Sequence, residues 1–180
     1  MDIQGPMEVT GIGKYKYFLI LVDYYSGFTK ASRLINKSEA LKFYKSFCEH
    51  ACNFLNKRIT YLSCDNAKEF TSTEFREYVS DQGTVLDVIP DYTPQLNETA
   101  GRNIRTAMNM MRSTFKAADA PKCLWAEAIC DACHIKNRFT SSKNSTPFKP
   151  WFGQKPNISL QDLWIQGLHA WSQAKEEVAG

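Results

Sequence analysis

The order of the apolar segments along the 180-residue chain is the feature that most constrains its fold. The run KYFLILVDYY at 16–25 is continuous and rich in β-forming residues, which predicts a buried strand. After the turn signal SG, the segment 28–35 is predicted to pair with it as a hairpin. Further apolar segments at 58–65 and 84–90 predict two more strands, and Asp2 lies in a first short extended segment.

Four predicted helices alternate with these strands or follow them. Ser38 is expected to cap a helix ending near Leu55, whose apolar residues recur at spacings of three and four. Thr71 and Glu74 are expected to form a capping box for a second helix, which Gly83 ends. Two more helices are predicted at about 97–118 and 122–139, and the proline-containing tail after them is expected to be loop-like. This element order predicts a mixed α/β sheet with helices on its faces.

Composition and charge exclude several classes of protein. A hydrophobic content of 43% and a charged content of 23% are typical of a globular domain. The longest apolar run, at 17–22, is too short to cross a bilayer, and the N-terminal residues are polar. We therefore expect no membrane partner, no secretion, and a location in the nucleus or cytoplasm. A net charge of +3 permits nucleic-acid binding but does not by itself indicate it.

The chain has six cysteines, and three interpretations of them are open. A disulfide set is disfavoured because no secretion signal is recognised. Zinc binding is the sharper alternative, because cysteine and histidine lie close together at 48–52 and at 130–134. Both groups fall in predicted helices and lack the paired spacing of zinc modules. Buried free cysteine is therefore the favoured interpretation.

Two features indicate where function could reside. Asp65 ends a predicted strand, where functional groups of α/β sheets gather, although Asp65 followed by Asn66 is also good turn chemistry. On the long helix, a stripe at spacings of three and four is mostly cationic, and its cations are Arg102, Arg105, Arg112 and Lys116. A solvated face is one explanation. Like charges repel, however, so a polyanion such as DNA backbone is the competing one.

Several ordered motifs resemble the catalytic core of retroelement integrases, most closely those of copia-type retrotransposons. The matching segments are DIQGP, YFLILVDYYSGF, CDNAKEF, YTPQLNETAGRNIRT and STPFKPWFGQKP. They follow the family order over about 150 residues, which makes the match more specific than one short pattern.

The resemblance implies a fold and a chemistry. The family fold is RNase H-like, with a five-stranded mixed sheet flanked by helices. The family reaction is metal-dependent DNA strand transfer, in which three carboxylates hold two Mg²⁺ or Mn²⁺ ions. Asp2 and Asp65 match the first two carboxylates and are the expected catalytic and metal-binding residues. Expected DNA contacts are Asn66, Gln95, Asn97, Arg102, Arg105, Arg112 and Lys116. DNA and further copies of the chain are the expected partners.

The third carboxylate position departs from the family pattern. The family glutamate follows the second aspartate after thirty-five residues, and that position is Gly101. Glu98 lies one helical turn earlier, where the family has glycine, and is a weak substitute at best. The resemblance therefore predicts polynucleotidyl transferase ancestry with an incomplete Asp-Asp-Glu triad and impaired catalysis.

The expected domain division is a catalytic-core-like domain at 1–140, with its first strand truncated, and a degenerate extended segment at 141–180. Two alternatives stay open. The chain is a non-catalytic DNA-binding or protein-interaction module, or it is an unselected transposon relic.

Overall fold

The structure is a computed structural model that describes residues 1–90, 98–139 and 145–157. Its strands are β1 (Asp2–Gln4), β2 (Tyr17–Val22), β3 (Thr29–Leu34), β4 (Tyr61–Asp65) and β5 (Val85–Ile89). Its α-helices are α1 (Ala40–Leu55), α2 (Lys68–Thr71), α3 (Thr73–Asp81), α4 (Glu98–Ala118), α5 (Trp125–Arg138) and α6 (Phe148–Phe152). Short 3₁₀ turns lie at Ile12–Lys14, Lys37–Glu39 and Lys122–Leu124. The predicted mixed α/β class is confirmed.

The described strands form two hydrogen-bonded sheets. One is antiparallel in the order β1-β2-β3, and the other is the parallel pair β4-β5. The nitrogen of Met1 donates to the carbonyl of Ser63 at 2.7 Å, which places β1 beside β4. The single five-stranded sheet that the resemblance implies stays a prediction.

Two apolar clusters cover the opposite faces of the sheets. Alternate residues of β2 point to opposite sides, because side chains alternate along a strand. Leu19 and Leu21 join a cluster with α1 and α3, which also receives Leu62 and Cys64 of β4. Phe18 and Ile20 join a second cluster with α4 and α5. Asp2 and Gln4 pair opposite Ile20 and Phe18, so they belong to the face covered by α4 and α5.

Three local predictions from the sequence are wrong. The box that caps the first helical segment joins Asn36 and Glu39, instead of starting at Ser38. The cap of α3 is Ser72, whose hydroxyl accepts from the backbone of the third residue beyond it, instead of Thr71. The predicted end of that helical segment at Gly83 is confirmed by its positive φ of 68° and its hydrogen bond back to the helix.

The third error concerns α6, which lies in a segment predicted to be loop-like. Its Trp151 ring stacks on Phe28 at a centroid distance of 5.0 Å and on Phe47 at 5.8 Å. The ammonium of Lys57 lies over the same ring at 4.9 Å and donates to the carbonyl of Pro150. These contacts attach α6 to α1 and to the start of β3. Within the described residues, no helix is long and apolar enough to cross a membrane.

Candidate metal and DNA site

The first two matched carboxylates come together in the structure. Asp2 lies on β1 opposite Ile20, and Asp65 is the last residue of β4, so the β1–β4 contact brings them side by side. Burial raises the pKa of the Asp2 carboxyl, and the negative charge of Asp65 raises that pKa further. Both side chains are half-buried. Paired carboxylates that repel each other in this way are a donor set for a divalent cation.

Each carboxylate is held by neighbouring donors. The Gln4 side-chain amide donates to Asp2 Oδ2 at 3.3 Å, and the Ala67 backbone N–H donates to Asp65 Oδ1 at 3.4 Å. The second bond is an Asx turn, so the turn interpretation of Asp65 is confirmed. A carboxylate has about four acceptor sites, and one turn bond leaves oxygen free for a metal. The two interpretations of Asp65 are therefore compatible.

Asp87 on β5 is an acidic neighbour that sequence reasoning missed. Its carboxylate accepts from the Ser63 hydroxyl at 3.4 Å, and Ser63 is its register partner on β4. Because side chains alternate along a strand, Ser63, Asp65 and Asp87 share one face of the parallel pair. The alternation of polar and apolar residues in β4 was the available signal, but only the β4–β5 register shows which residue of β5 faces Ser63.

Gly101 occupies the third matched position, on the fourth residue of α4. A Cβ added there would meet no heavy atom of the described residues within 4 Å beyond the backbone of α4 itself, so the position has room for a side chain. Within the described part of the chain, no group of three or more His, Cys, Asp or Glu residues could hold a metal ion. The side chain of Glu98 lies outside the described residues. Asp2 and Asp65 are therefore the two matched carboxylates that could hold a divalent ion, and Gly101 adds no ligand to them.

The two faces of α4 are as the periodicity predicts. Ile104, Ala107 and Met111 are buried against α5 and β2, with exposed fractions of 7%, 0% and 5%. The cations of the opposite stripe are all exposed: Arg102, Arg105, Arg112 and Lys116. Arg112 also donates to the Asn109 side chain at 3.5 Å. The cationic face is therefore confirmed, and its contact with DNA stays a prediction.

The remaining predicted contacts are less well placed. Asn66 is exposed directly after Asp65. Gln95 and Asn97 lie outside the described residues. The predicted C-terminal segment at 141–180 is described only at 145–157, which includes α6.

The cysteines divide by environment. All six are free. Cys64 and Cys133 are buried, and burial raises their thiol pKa values to about 11 and about 12. Interpreting the cysteines as buried thiols is correct for these two and wrong for Cys52, which is exposed.

The structure is similar to retroviral integrase catalytic cores. One is the catalytic core domain of the HTLV-2 integrase, which was solved as a trimeric form in complex with magnesium. The match has a TM-score of 0.58 and covers 82% of this chain and 93% of the HTLV-2 chain. An integrase chain from the simian T-cell lymphotropic virus intasome, solved in complex with the PP2A regulatory subunit B56 gamma, gives a TM-score of 0.63 and matches 88% of this chain and 55% of its own. Identities of 20% and 18% establish the fold class only: an integrase-type core.

Curated relatives narrow this to one group of elements. The chain is 30% identical over 178 residues to the retrovirus-related Pol polyprotein from transposon TNT 1-94 of Nicotiana tabacum. Polyproteins from transposons RE2 and RE1 of Arabidopsis thaliana match at 30% and 28%. The chain is thus related to the Pol polyproteins of copia-type plant retrotransposons, as its motifs indicate. The three matches include 98%, 91% and 87% of this chain. The chain spans only 13%, 11% and 11% of the length of the respective polyproteins. It matches no protein-family model.

Proposed function

We propose that this chain is a DNA-integration core that retains a two-carboxylate metal site and a DNA-binding helix, and that its strand-transfer activity is weak or lost. One combination of observations carries this proposal. Burial, and then the charge of the neighbouring Asp65, raise the pKa of Asp2, while the third carboxylate position on α4 is Gly101. The first observation is expected of a metal site, and the second removes a ligand from it.

The proposal includes one continuous sheet in the order β3-β2-β1-β4-β5. It is supported by the 2.7 Å hydrogen bond from Met1 to Ser63, which links the antiparallel sheet to the parallel pair. In this arrangement β1 is central, so Asp2 lies between the strand that carries Ile20 and the strand that ends at Asp65.

Mg²⁺ or Mn²⁺ held by Asp2 and Asp65 would supply Lewis-acid activation of a phosphoryl group or of an attacking hydroxyl. The chain's own contribution is orientation: Gln4 holds Asp2, and the Ala67 N–H holds Asp65. Glu98 lies three residues before Gly101, which on a helix displaces it by about 5 Å and turns it by about 60°. Because Mg²⁺ demands near-ideal octahedral geometry, this displacement does not restore the missing ligand.

The catalytic half of the proposal is tested with oligonucleotides that carry retroelement ends. We expect little or no joining to target DNA in Mg²⁺ or Mn²⁺, beside an active integrase as positive control. Isothermal titration should still show Mn²⁺ binding that Asp65→Asn removes, because that change takes one of two charged donors. Robust metal-dependent joining by the unaltered chain would refute the impairment.

The DNA-binding half rests on the cationic face of α4, and it also fits the alternative of a non-catalytic binding module. Four exposed cations that each neutralise one phosphate give a slope of about −3.6 in log affinity against log salt. Replacing Arg102, Arg105, Arg112 and Lys116 by alanine should remove most of that slope in a gel-shift series. Four exposed lysines lie on other elements, and their quadruple alanine variant is the matched control: Lys14, Lys42, Lys122 and Lys149. An unchanged slope in the α4 variant would exclude this surface.

We further propose that the chain self-associates, since its structural neighbours were solved as a trimeric form and as an intasome. Sedimentation equilibrium with and without duplex DNA tests this. A monomer under both conditions at tens of micromolar would contradict it.

A further inference from the structure

The turn between β2 and β3 exposes two adjacent aromatic rings. Tyr24 and Tyr25 are 86% and 84% exposed, the highest fractions among the large apolar side chains of the described residues. Each ring carries apolar surface, and removing that surface from water is favourable. Neither residue takes part in the carboxylate pair or the cationic face of α4.

The turn that carries these rings is held by a network of hydrogen bonds. Asp23 Oδ2 accepts from the backbone N–H of Ser26 at 2.8 Å and from its hydroxyl at 2.5 Å. The Asp23 N–H donates to the Phe28 carbonyl, and the Gly27 N–H donates to the Asp23 carbonyl, both at 2.8 Å. Gly27 has a φ of 73°, which a glycine adopts without strain. An ordered turn loses little conformational entropy when a ligand covers its rings.

Cations lie beside the turn. The Lys136 ammonium, from α5, donates to the Gly27 carbonyl at 3.2 Å and to the Thr29 hydroxyl at 2.9 Å. Lys30 follows on β3 and is exposed. The acid of the turn, Asp23, is engaged in the bonds that shape it. The Lys136 ammonium therefore places positive charge against the backbone of the turn at Gly27, which favours an anionic ligand there.

The same turn is connected to the start of the proposed DNA-binding helix. The Thr29 hydroxyl lies 3.4 Å from the side-chain oxygen of Asn103 on α4. Asn103 follows Arg102, the first cation of the exposed stripe. The part of α4 where the cationic stripe begins therefore lies next to the start of β3, which follows the turn.

We propose that the β2–β3 turn is a stacking platform for unpaired nucleic-acid bases, formed by Tyr24 and Tyr25 with Lys30 and Lys136 beside them. Any base has a π-face that stacks on an aromatic ring, so this contact requires no particular sequence. The flanking cations neutralise the phosphates of the same strand. A duplex keeps its bases paired and stacked internally, so the platform selects single-stranded or frayed DNA ends. This inference extends the DNA contact proposed for α4.

The test compares two probes, a fluorescent oligo(dT) and a blunt duplex of equal length, by anisotropy at 50, 100 and 200 mM salt. A stacked base contributes about 1–3 kcal/mol, which corresponds to roughly 5- to 150-fold in affinity. The double variant Tyr24→Ala/Tyr25→Ala should lose at least about fivefold on oligo(dT), by the same factor at each salt concentration. Tyr24→Phe/Tyr25→Phe should retain affinity because it keeps both rings. Tyr61→Ala removes another exposed tyrosine, on β4, and should have no effect.

Several outcomes would overturn the platform. They are absence of oligo(dT) binding by the unaltered chain, an alanine variant that binds oligo(dT) normally, and an equal loss on the duplex. A change in the sedimentation of the free alanine variant would assign the rings to contact with another protein chain. Failure of the α4 contact has a different signature, because it leaves the salt slope unchanged in the quadruple α4 variant.

Discussion

Replacing Gly101 by glutamate tests both the helix and the incomplete triad in one protein. Glycine inside a helix costs about 0.5–1 kcal/mol relative to alanine, and glutamate is nearly as good a helix former as alanine. Apart from the backbone of α4 itself, no heavy atom of the described residues lies within 4 Å of the new Cβ, so the substitution meets no clash there. We therefore expect Gly101→Glu to raise the free energy of unfolding by up to about 1 kcal/mol without metal, or Tm by about 2–4 °C.

The metal response separates a restored site from a better helix. If the introduced carboxylate completes the site with Asp2 and Asp65, Mn²⁺ at a hundred times its Kd adds about 2.7 kcal/mol, or about 5–11 °C in Tm. Gly101→Gln is the matched control, since it gains the same helix propensity without a charge. Differential scanning fluorimetry over a Mn²⁺ series measures both variants, and strand transfer on oligonucleotide ends is then assayed with the glutamate variant.

Two results would refute this reasoning. Equal Mn²⁺ responses of the glutamate and glutamine variants would show that position 101 does not face the carboxylate pair. A metal response of Gly101→Glu that persists in the Asp65→Asn background would show that the added carboxylate binds metal elsewhere.

Four further substitutions test the scaffold by urea unfolding. Trp151→Ala removes a ring stacked between two phenylalanines and should cost about 3–5 kcal/mol, whereas a cost below about 1 kcal/mol would show that α6 is not docked. Ser72→Ala should lower the free energy of unfolding by about 1 kcal/mol, and Ser38→Ala should lower it by less than about 0.5 kcal/mol. A larger loss for Ser38→Ala than for Ser72→Ala would show that Ser38 is a cap after all. Burial, and then the charge of a nearby glutamate, raises the pKa of Asp131 above 3.8, so its ionisation destabilises the fold. Asp131→Asn should therefore raise the free energy of unfolding at pH 7, and this gain should shrink as the pH falls through the raised pKa. An equal gain in the free energy of unfolding at pH 4 and pH 7 would contradict this reasoning.

The sequence predicted the strands from short apolar runs, and the long helices and the cationic face from spacings of three and four. It missed α6 because the three prolines of the segment at 145–156 indicate a loop, although a helix of one turn tolerates proline where an N–H lacks a helical partner. The cap of α3 was placed one residue early because Thr71 and Ser72 are both competent, and only the backbone geometry decides between them.

The carboxylate pair was predictable for a different reason. Motif order placed Asp2 and Asp65 together, although sixty-two residues separate them in the sequence. No such motif marks Asp87 or the tyrosine turn. The position of Asp87 depends on the register of β4 with β5, and the surroundings of the turn depend on the packing of α5 against β3. Both depend on contacts between segments that are far apart in the sequence, so no short stretch of the sequence predicts them.

The contact between Asn137 and β3 has a consequence for solubility. Thr29 directs its N–H and C=O away from β2, and the Asn137 amide takes both, at 2.8 and 2.7 Å. One side chain thus substitutes for a missing neighbouring strand at the start of β3. A strand from another molecule finds these groups already engaged, so this end of the sheet is protected against edge-to-edge aggregation.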